Sequence, residues 1–166
     1  MDSTTVLLEE ALTSHLGSLY RYCHRMTGSQ EEAEDLAQEV LLAALKHRKS
    51  LAGEGFLRPW LFGIAHHKVC HHLRRKTVER LFHPQVRAEP EFSEAAAVQG
   101  LIDSLPARQR EAFLLVKIEG FTSLEAAKVL GAPEGTVKHR VFQAVRKLQK
   151  SMQESGLHLE EARNVP

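Results

Sequence analysis

The stretch GAPEGTVKHRVFQAVRKLQK, residues 131–150, determines the fold predicted for the C-terminal half of the chain. Its apolar residues recur at helical spacing and share one face: Val137, Val141, Ala144, Val145 and Leu148. Pro133 suits the first turn of a helix, and Gly131 suits the left-handed position that follows a preceding helix. Because no acidic residue follows Glu134 in this stretch, we predict an amphipathic helix whose exposed side is basic.

A second, shorter helix is predicted immediately before this one. In FTSLEAAKVLG, residues 121–131, Thr122 and Glu125 have the spacing of a capping box. A short helix, a tight turn and a second helix with a cationic outer face form the outline of a helix-turn-helix, whose second helix enters the DNA major groove. The pattern also fits a helical hairpin with an ordinary solvated face, so both interpretations remain open at this point.

The composition indicates a soluble globular protein, with 43% hydrophobic and 26% charged residues. The N-terminus lacks the pattern of a signal peptide, and Cys23 and Cys70 are the two cysteines, so we expect a reducing cytoplasm. The formal net charge of +1 argues against binding to nucleic acid by bulk electrostatics. Any contacts with DNA must therefore be local.

The apolar spacing of the N-terminal half predicts three helices, over about residues 6–26, from Ser29 to about Lys46, and over about residues 56–80. Ser29 and Glu32 again have capping-box spacing. The predicted buried stripe of the third helix is Leu57, Trp60, Leu61, Ile64, Ala65, Val69 and Leu73. The chain shows no strand pattern, so we predict an all-α fold of two small helical domains, 6–80 and 98–155, with a flexible linker over 81–97 and a tail over 156–166.

Three segments in series resemble the bacterial sigma factors of the extracytoplasmic-function type, group 4 of the sigma-70 family. They are EEAEDLAQEVLLAAL (31–45), FLRPWLFGIAHHKVCHHLRR (56–75) and LPARQREAFLLVKIEGFTSLEAAKVLGAPEGTVKHRVFQAVRKL (105–148). The resemblance covers about residues 10–150. It implies a sigma-2-like helical bundle and a sigma-4-like helix-turn-helix, in a subunit that binds the β′ and β subunits of core RNA polymerase and directs promoter recognition, DNA opening and transcription initiation.

The resemblance assigns core polymerase docking to Asp35, Gln38 and Glu39, because the matching family helix docks on the clamp helices of β′. Carboxylates and an amide one turn apart can form charge-assisted hydrogen bonds with a basic helical partner. The simpler interpretation is that these acids offset the positive end of the helix, which contributes a few tenths of a kcal/mol each. We adopt that interpretation for Glu31 and Glu32, and the docking interpretation for Asp35 and Glu39.

The resemblance also implies which residues contact the promoter. Contacts with the −10 element are assigned to His67, Lys68, His71, Arg74 and Arg75, and the loop KSLAGEG (49–55) matches the segment that captures a flipped base. Contacts with the −35 duplex are assigned to Lys138, His139, Arg140 and Gln143. The chain departs from the family pattern at His67, His71, His139 and Val145, which puts its promoter preference in doubt.

Two other classes of function remain open. His66 with Cys70, and His67 with His71, have the spacing of paired metal ligands on a helix, and Cys23 is a further candidate from a neighbouring helix. Two ligands do not complete a tetrahedral site, so we assign no metal site, although a metal-responsive regulator is one alternative. A helix-turn-helix regulator acting outside the sigma role is the other, but it leaves the first two motifs unexplained.

No nucleophile and base can be paired from the spacing, so we predict neither an enzyme nor a cofactor. By analogy with the family we expect promoter DNA, core polymerase and an anti-sigma factor as partners, and no insertion into a membrane.

Overall fold

The computed structural model describes residues 3–51, 56–83 and 93–156, and side chains from residue 9 onward. Within these ranges it contains helices and no strands, which confirms the all-α prediction. The seven α-helices are α1 (Ser3–Thr27), α2 (Gln30–Lys46), α3 (Leu57–Phe82), α4 (Glu94–Asp103), α5 (Ala107–Phe113), α6 (Ser123–Leu130) and α7 (Glu134–Ser155). The chain divides into two compact units, and the main boundary between them falls within α3, between Val78 and Glu79.

The first unit is built from α1, α2 and most of α3. Each of these helices buries one stripe of apolar side chains. Tyr22 on α1 meets Phe62 on α3 edge to face, with ring centres 5.6 Å apart. Both side chains are fully buried, as are Leu19 and Leu61. Such aromatic pairs add about 0.5–1.5 kcal/mol beyond the area they bury. Phe62 was absent from the predicted stripe, and Trp60, Ile64 and Leu73 are only half-buried, so the buried face of α3 is turned slightly from the predicted one.

In the second unit, the first turn of α4 is capped by the Ser93 hydroxyl, which accepts a hydrogen bond from the Ala96 amide at 3.1 Å. One π-helical turn, Leu114–Ile118, continues α5. The core between these helices and α7 contains Leu105, Ala144 and Leu148, against which Leu101 and Phe113 pack. This packing fixes the side of α7 that faces the protein and leaves the opposite side exposed.

The helix-turn-helix has the local geometry that its sequence predicts. The Thr122 hydroxyl accepts from the Glu125 amide at 3.2 Å, and the Glu125 carboxylate accepts from the Thr122 amide at 2.8 Å, which completes the capping box. Gly131 ends α6 in the left-handed conformation, with φ of 60°. Pro133 lies at the N-cap of α7, one position before the first turn. Leu124 on α6 is 52% exposed.

Helix ends differ from the predicted linker boundaries. Helix α3 continues to Phe82 and α4 begins at Glu94, so both ends of the segment 81–97 are helical. The middle of that segment (84–92), the loop residues 52–55 and the tail residues 157–166 lie outside the described residues.

Candidate functional site

Helix α2 presents a continuous polar stripe opposite its buried one. Its buried residues are Ala33, Leu36, Ala37, Val40 and Ala44. The predicted docking residues Asp35, Gln38 and Glu39 are all exposed, and their spacing of three and four places them on one face. Leu42 continues this face by one further turn and is 67% exposed. Sequence reasoning missed Leu42, although its spacing of seven from Asp35 could have revealed it.

Glu32 has a different role from the one predicted. The Ser29 hydroxyl accepts from the Glu32 amide at 3.3 Å, as in a capping box, but the Glu32 carboxylate does not close the box. It accepts instead from Lys76 at 2.6 Å and lies 3.0 Å from His72 Nε2 on α3. Glu32 therefore ties the start of α2 to the end of α3, and does more than offset the helix dipole.

The pKa of Glu32 reflects these competing surroundings. Partial burial raises the pKa of the carboxyl group, but the hydrogen bonds and positive charges of Lys76 and His72 outweigh burial and lower it below its ordinary value. The ionised carboxylate is therefore the form that the fold stabilises.

Helix α3 carries a cationic stripe on its outer side. His67, His71, Arg74 and Arg75 are exposed at spacings of four, three and one, so they follow one another along the helix. Lys68 borders this stripe, and its ammonium lies 3.4 Å from the Glu39 carboxylate. The structure thus brings together one residue from each of two separately predicted surfaces, the docking face of α2 and the −10 face of α3.

Helix α7 places the four predicted −35 residues differently from one another. His139 is exposed and lies opposite the buried stripe. Lys138 and Arg140 are two positions apart, a rotation of about 200°, so they lie on opposite flanks of the helix. Lys138 is exposed and pairs with Glu134 at 2.7 Å, whereas Arg140 is half-buried. Lys138 and Arg140 therefore do not share one outward face of α7.

The fourth residue, Gln143, is held by a tertiary contact. Gln109 Nε2 on α5 donates to Gln143 Oε1 at 3.0 Å. This bond restricts the rotamer of Gln143 and engages its side-chain oxygen, so its side-chain nitrogen can donate a hydrogen bond to another group. A side chain whose direction is fixed in this way loses less conformational entropy on binding.

Phe142 and Arg146 complete the outer face of α7 and were missed as a pair. Phe142 is 58% exposed, and the Arg146 guanidinium carbon lies 5.7 Å from the centre of its ring. This is the distance of a cation–π contact. Their spacing of three and seven from His139 places them on the same side as that histidine.

The cysteines differ in their surroundings. Cys23 is fully buried, and burial raises the pKa of its thiol to about 12, which disfavours the thiolate that binds metals. The surroundings of Cys23 therefore give no support to its role as a metal ligand. Cys70 is half-buried, and its Sγ lies 3.6 Å from His66 Nδ1 on the preceding turn.

Among the described residues, no helix combines the length and the apolar character that crossing a membrane requires.

Comparison with known protein families gives two matches, one in each half of the chain. The family model described as Sigma-70 region 2 matches residues 11–78, and that described as Sigma-70, region 4 matches residues 95–148. The first range contains the stripes of α2 and α3, and the second contains the helix-turn-helix.

Two relatives that match most of the chain are ECF RNA polymerase sigma factors. The chain is 33% identical over 152 residues to the ECF RNA polymerase sigma factor EcfG of Rhodopseudomonas palustris, covering 85% of this chain and 82% of the relative. It is 30% identical over 162 residues to the ECF sigma factor SigL of Mycobacterium tuberculosis, covering 91% and 92%.

The fold is also that of a solved sigma factor. RpoE of Bartonella quintana, solved with the anti-sigma factor NepR, superposes with a TM-score of 0.78 at 26% identity, over 88% of this chain and 96% of that one. These matches span both units and both sets of exposed residues. The chain therefore belongs to the extracytoplasmic-function sigma factors of the sigma-70 family.

Proposed function

We infer that this chain acts as an alternative sigma factor, which directs transcription initiation by RNA polymerase. The observation that carries this conclusion is the succession, within one chain, of an acidic stripe on α2, a cationic stripe on α3 and a helix-turn-helix. The first two lie within the match to Sigma-70 region 2, and the third lies within the match to Sigma-70, region 4. An ordinary helix-turn-helix regulator would need only the last of the three.

We propose that α2 docks on a basic helical surface of the polymerase β′ subunit through Asp35, Gln38 and Glu39. The exposure of all three on one face supports this role. Leu42 on the same face supplies an apolar surface that would be buried on docking.

The outer face of α3 is proposed to contact the −10 element through His67, Lys68, His71, Arg74 and Arg75. Cations in a row along one helix can follow a phosphate backbone, and each phosphate contact releases condensed counterions. Lys68 is paired with Glu39 on α2. A basic group of the polymerase that engages Glu39 competes with Lys68 and leaves its ammonium available to DNA.

Helix α7 is proposed to enter the major groove of the −35 duplex through Lys138, His139, Arg140 and Gln143. His139 faces outward near the start of the helix, and the two flanking cations suit the phosphates on either side of the groove. The exposed ring of Phe142 offers an apolar contact for a thymine methyl group, with the Arg146 guanidinium beside it.

The domain layout proposed for these roles is residues 6–80 for polymerase docking and the −10 element, and residues 98–155 for the −35 element. The region 2 match (11–78) lies within the first range, and the region 4 match (95–148) starts three residues before the second.

An anti-sigma factor is proposed as a further partner. The support is the solved RpoE of B. quintana, which was determined with the anti-sigma factor NepR. Because the two proteins share a fold, we propose that a partner of the same kind binds this chain.

The experiment that tests the proposed function is transcription in vitro with purified core polymerase and a library of promoter sequences. We expect transcripts that begin at a defined distance from a common pair of elements, and none from core polymerase alone. A helix-turn-helix regulator would instead leave core polymerase inactive and would require a separate sigma factor. No transcript from any promoter in the library, with core association absent as well, would refute the sigma role.

A further inference from the structure

Gln109 is a polar side chain at the place where α5 packs on α7. It precedes Phe113 by four positions, so both lie on the face of α5 that packs on the core shared with α7. Its Nε2 donates to Gln143 Oε1 at 3.0 Å. Gln143 follows the exposed His139 by four positions, a rotation of about 40°, which places it on the outer side of α7. The pair therefore connects the packed side of α5 to the surface proposed to face DNA.

The burial of Gln109 determines which of its amide atoms faces Gln143. Its Oε1 is buried and has no hydrogen-bond partner among the described residues. In the reverse orientation Nε2 would occupy this buried position, and two N–H donors would be unpaired there in place of one oxygen. Each unpaired buried donor destabilises the fold. The observed orientation is therefore the less costly one, and it directs the donor of Gln109 at Gln143.

This contact also fixes the direction of the Gln143 amide. Its oxygen accepts from Gln109, so its nitrogen, on the other side of the planar group, is the atom that can donate outward. In the major groove a Gln reads adenine with both amide atoms, since the oxygen accepts from N6 and the nitrogen donates to N7. Guanine presents two acceptors, N7 and O6, which a donor alone can satisfy. A Gln143 held by its oxygen is therefore better matched to guanine than to adenine.

We propose that Gln109 is a positioning residue for promoter recognition, which makes Gln143 a hydrogen-bond donor and so selects guanine over adenine at one base pair. Gln109 acts through Gln143 and needs no contact of its own with DNA. The inference rests on the proposed function, in which α7 enters the major groove of the −35 duplex. The order of the Gln143 amide in the free protein, by contrast, is measured without polymerase or DNA, so failure of the inference and failure of the sigma role are distinguishable.

The first test measures the side-chain amide of Gln143 in the full-length protein by nuclear magnetic resonance relaxation. Gln149 is the internal reference, because it is exposed on the same helix. In the wild type we expect the Gln143 amide to be ordered on the picosecond-to-nanosecond timescale and the Gln149 amide to be mobile. Gln109→Ala should make Gln143 as mobile as Gln149. Equal mobility of the two amides in the wild type would overturn the proposal.

The second test uses core polymerase, the full-length protein and a promoter library randomised across the −35 element. The base pair that Gln143 reaches is the one whose preference changes in Gln143→Ala. At that base pair we expect the wild type to favour guanine over adenine by at least about fivefold, the lower end of what one base contact discriminates. Gln109→Ala should remove this preference. The double variant should have the same preferences as Gln143→Ala alone, because Gln109 acts only through Gln143.

Gln109→Glu reverses the polarity of the contact and keeps the size of the side chain. An ionised carboxylate has no donor, so it would accept from Gln143 Nε2 and turn the Gln143 oxygen outward. Adenine, whose N6 group donates, should then be favoured over guanine at the same base pair. A loss of stability alone would lower transcription from every promoter and would not exchange one base for the other.

Two variants serve as controls. Gln149→Ala changes an exposed glutamine of α7, and Arg108→Ala changes the exposed neighbour of Gln109 on α5. Both should keep the wild-type ratio of guanine to adenine, whatever their effect on total transcription. Circular dichroism of each variant establishes that the helices are intact.

The proposal is overturned if the wild type favours adenine at this base pair, if Gln143→Ala changes no preference, or if Gln109→Glu keeps the wild-type ratio. It is also overturned if Gln109→Ala leaves unchanged the preference that Gln143→Ala alters. Absence of transcript with every protein, the wild type included, would refute the sigma role and with it the base assigned to Gln143. An ordered Gln143 amide that Gln109→Ala releases would still establish Gln109 as the residue that positions it.

Discussion

The link between α2 and α3 predicts a specific loss of stability in Glu32→Gln. The carboxylate is 25% exposed and accepts from Lys76 at 2.6 Å, with His72 at 3.0 Å. Hydrogen bonds to charged groups contribute about 1.5–3 kcal/mol when well buried, whereas exposed ion pairs contribute about 0–1 kcal/mol. Because this cluster is intermediate in exposure, we expect the substitution to lower the free energy of unfolding by about 1–2 kcal/mol at neutral pH.

The assay is urea denaturation followed by tryptophan fluorescence. Trp60, the single tryptophan, lies on α3 and reports on the first unit. Glu31→Gln is the matched control, since Glu31 occupies the same first turn of α2 but is exposed. It should cost only a few tenths of a kcal/mol, which is the contribution of an acid near a helix N-terminus.

The pH dependence of the difference between wild type and Glu32→Gln has a defined sign. The native pKa of Glu32 is lowered from an ordinary value of 4.5. The stabilisation is therefore fully present above about pH 4.5 and is lost as the pH falls through the lowered native pKa. Equal costs for Glu31→Gln and Glu32→Gln at neutral pH, or a difference that persists unchanged in acid, would refute this reasoning.

Two further predictions concern the proposed interfaces. Asp35→Lys combined with Glu39→Lys should weaken association with core polymerase in a pull-down or titration while helicity is retained. The control Glu34→Lys, on the flank of α2, should bind core polymerase about as well as wild type. Equal binding by wild type, the double variant and the control would contradict the docking assignment. Arg140→Ala should lower transcription and change the −35 preference in a promoter library by about 1–3 kcal/mol at one position. Lys147→Ala, two turns further along α7, should instead weaken DNA binding evenly across sequences and reduce the salt dependence of that binding. An unchanged −35 preference in Arg140→Ala would mean that α7 presents another face to DNA.

The features that sequence alone could predict are those set by neighbouring residues. The capping box of Thr122 and Glu125 and the left-handed Gly131 depend on positions within one or two turns. The apolar spacing of α7 likewise locates its buried face, because a helix of fixed pitch determines which residues share a side. The approximate bounds of the helices followed from the same local signals, although α3 continues to Phe82 and α4 begins at Glu94, inside the predicted linker.

Tertiary contacts explain the rest. Glu32 has the spacing of a capping box with Ser29, but its carboxylate contacts the side chains of Lys76 and His72 instead, which lie far along the chain. Gln143 is likewise oriented by Gln109, which no spacing rule connects to it. Local patterns cannot rank such alternatives, because the competing partner becomes available only when the helices pack.

The small net charge of the chain is consistent with a protein proposed to bind both a polymerase and DNA. Its acidic and basic residues lie on the outer sides of different helices, and some of them form pairs where two helices are in contact. Helix α2 turns its acids outward, α3 turns histidines and arginines outward, and the two helices are joined by the Glu39–Lys68 and Glu32–Lys76 pairs. The Glu39–Lys68 pair is 3.4 Å long and well exposed, so it contributes at most about 1 kcal/mol. In the proposed docking, a contact of that strength would be exchanged for a polymerase cation on one side and a phosphate on the other. Glu32 is less exposed and makes two contacts, so it is suited to hold the helices together during that exchange.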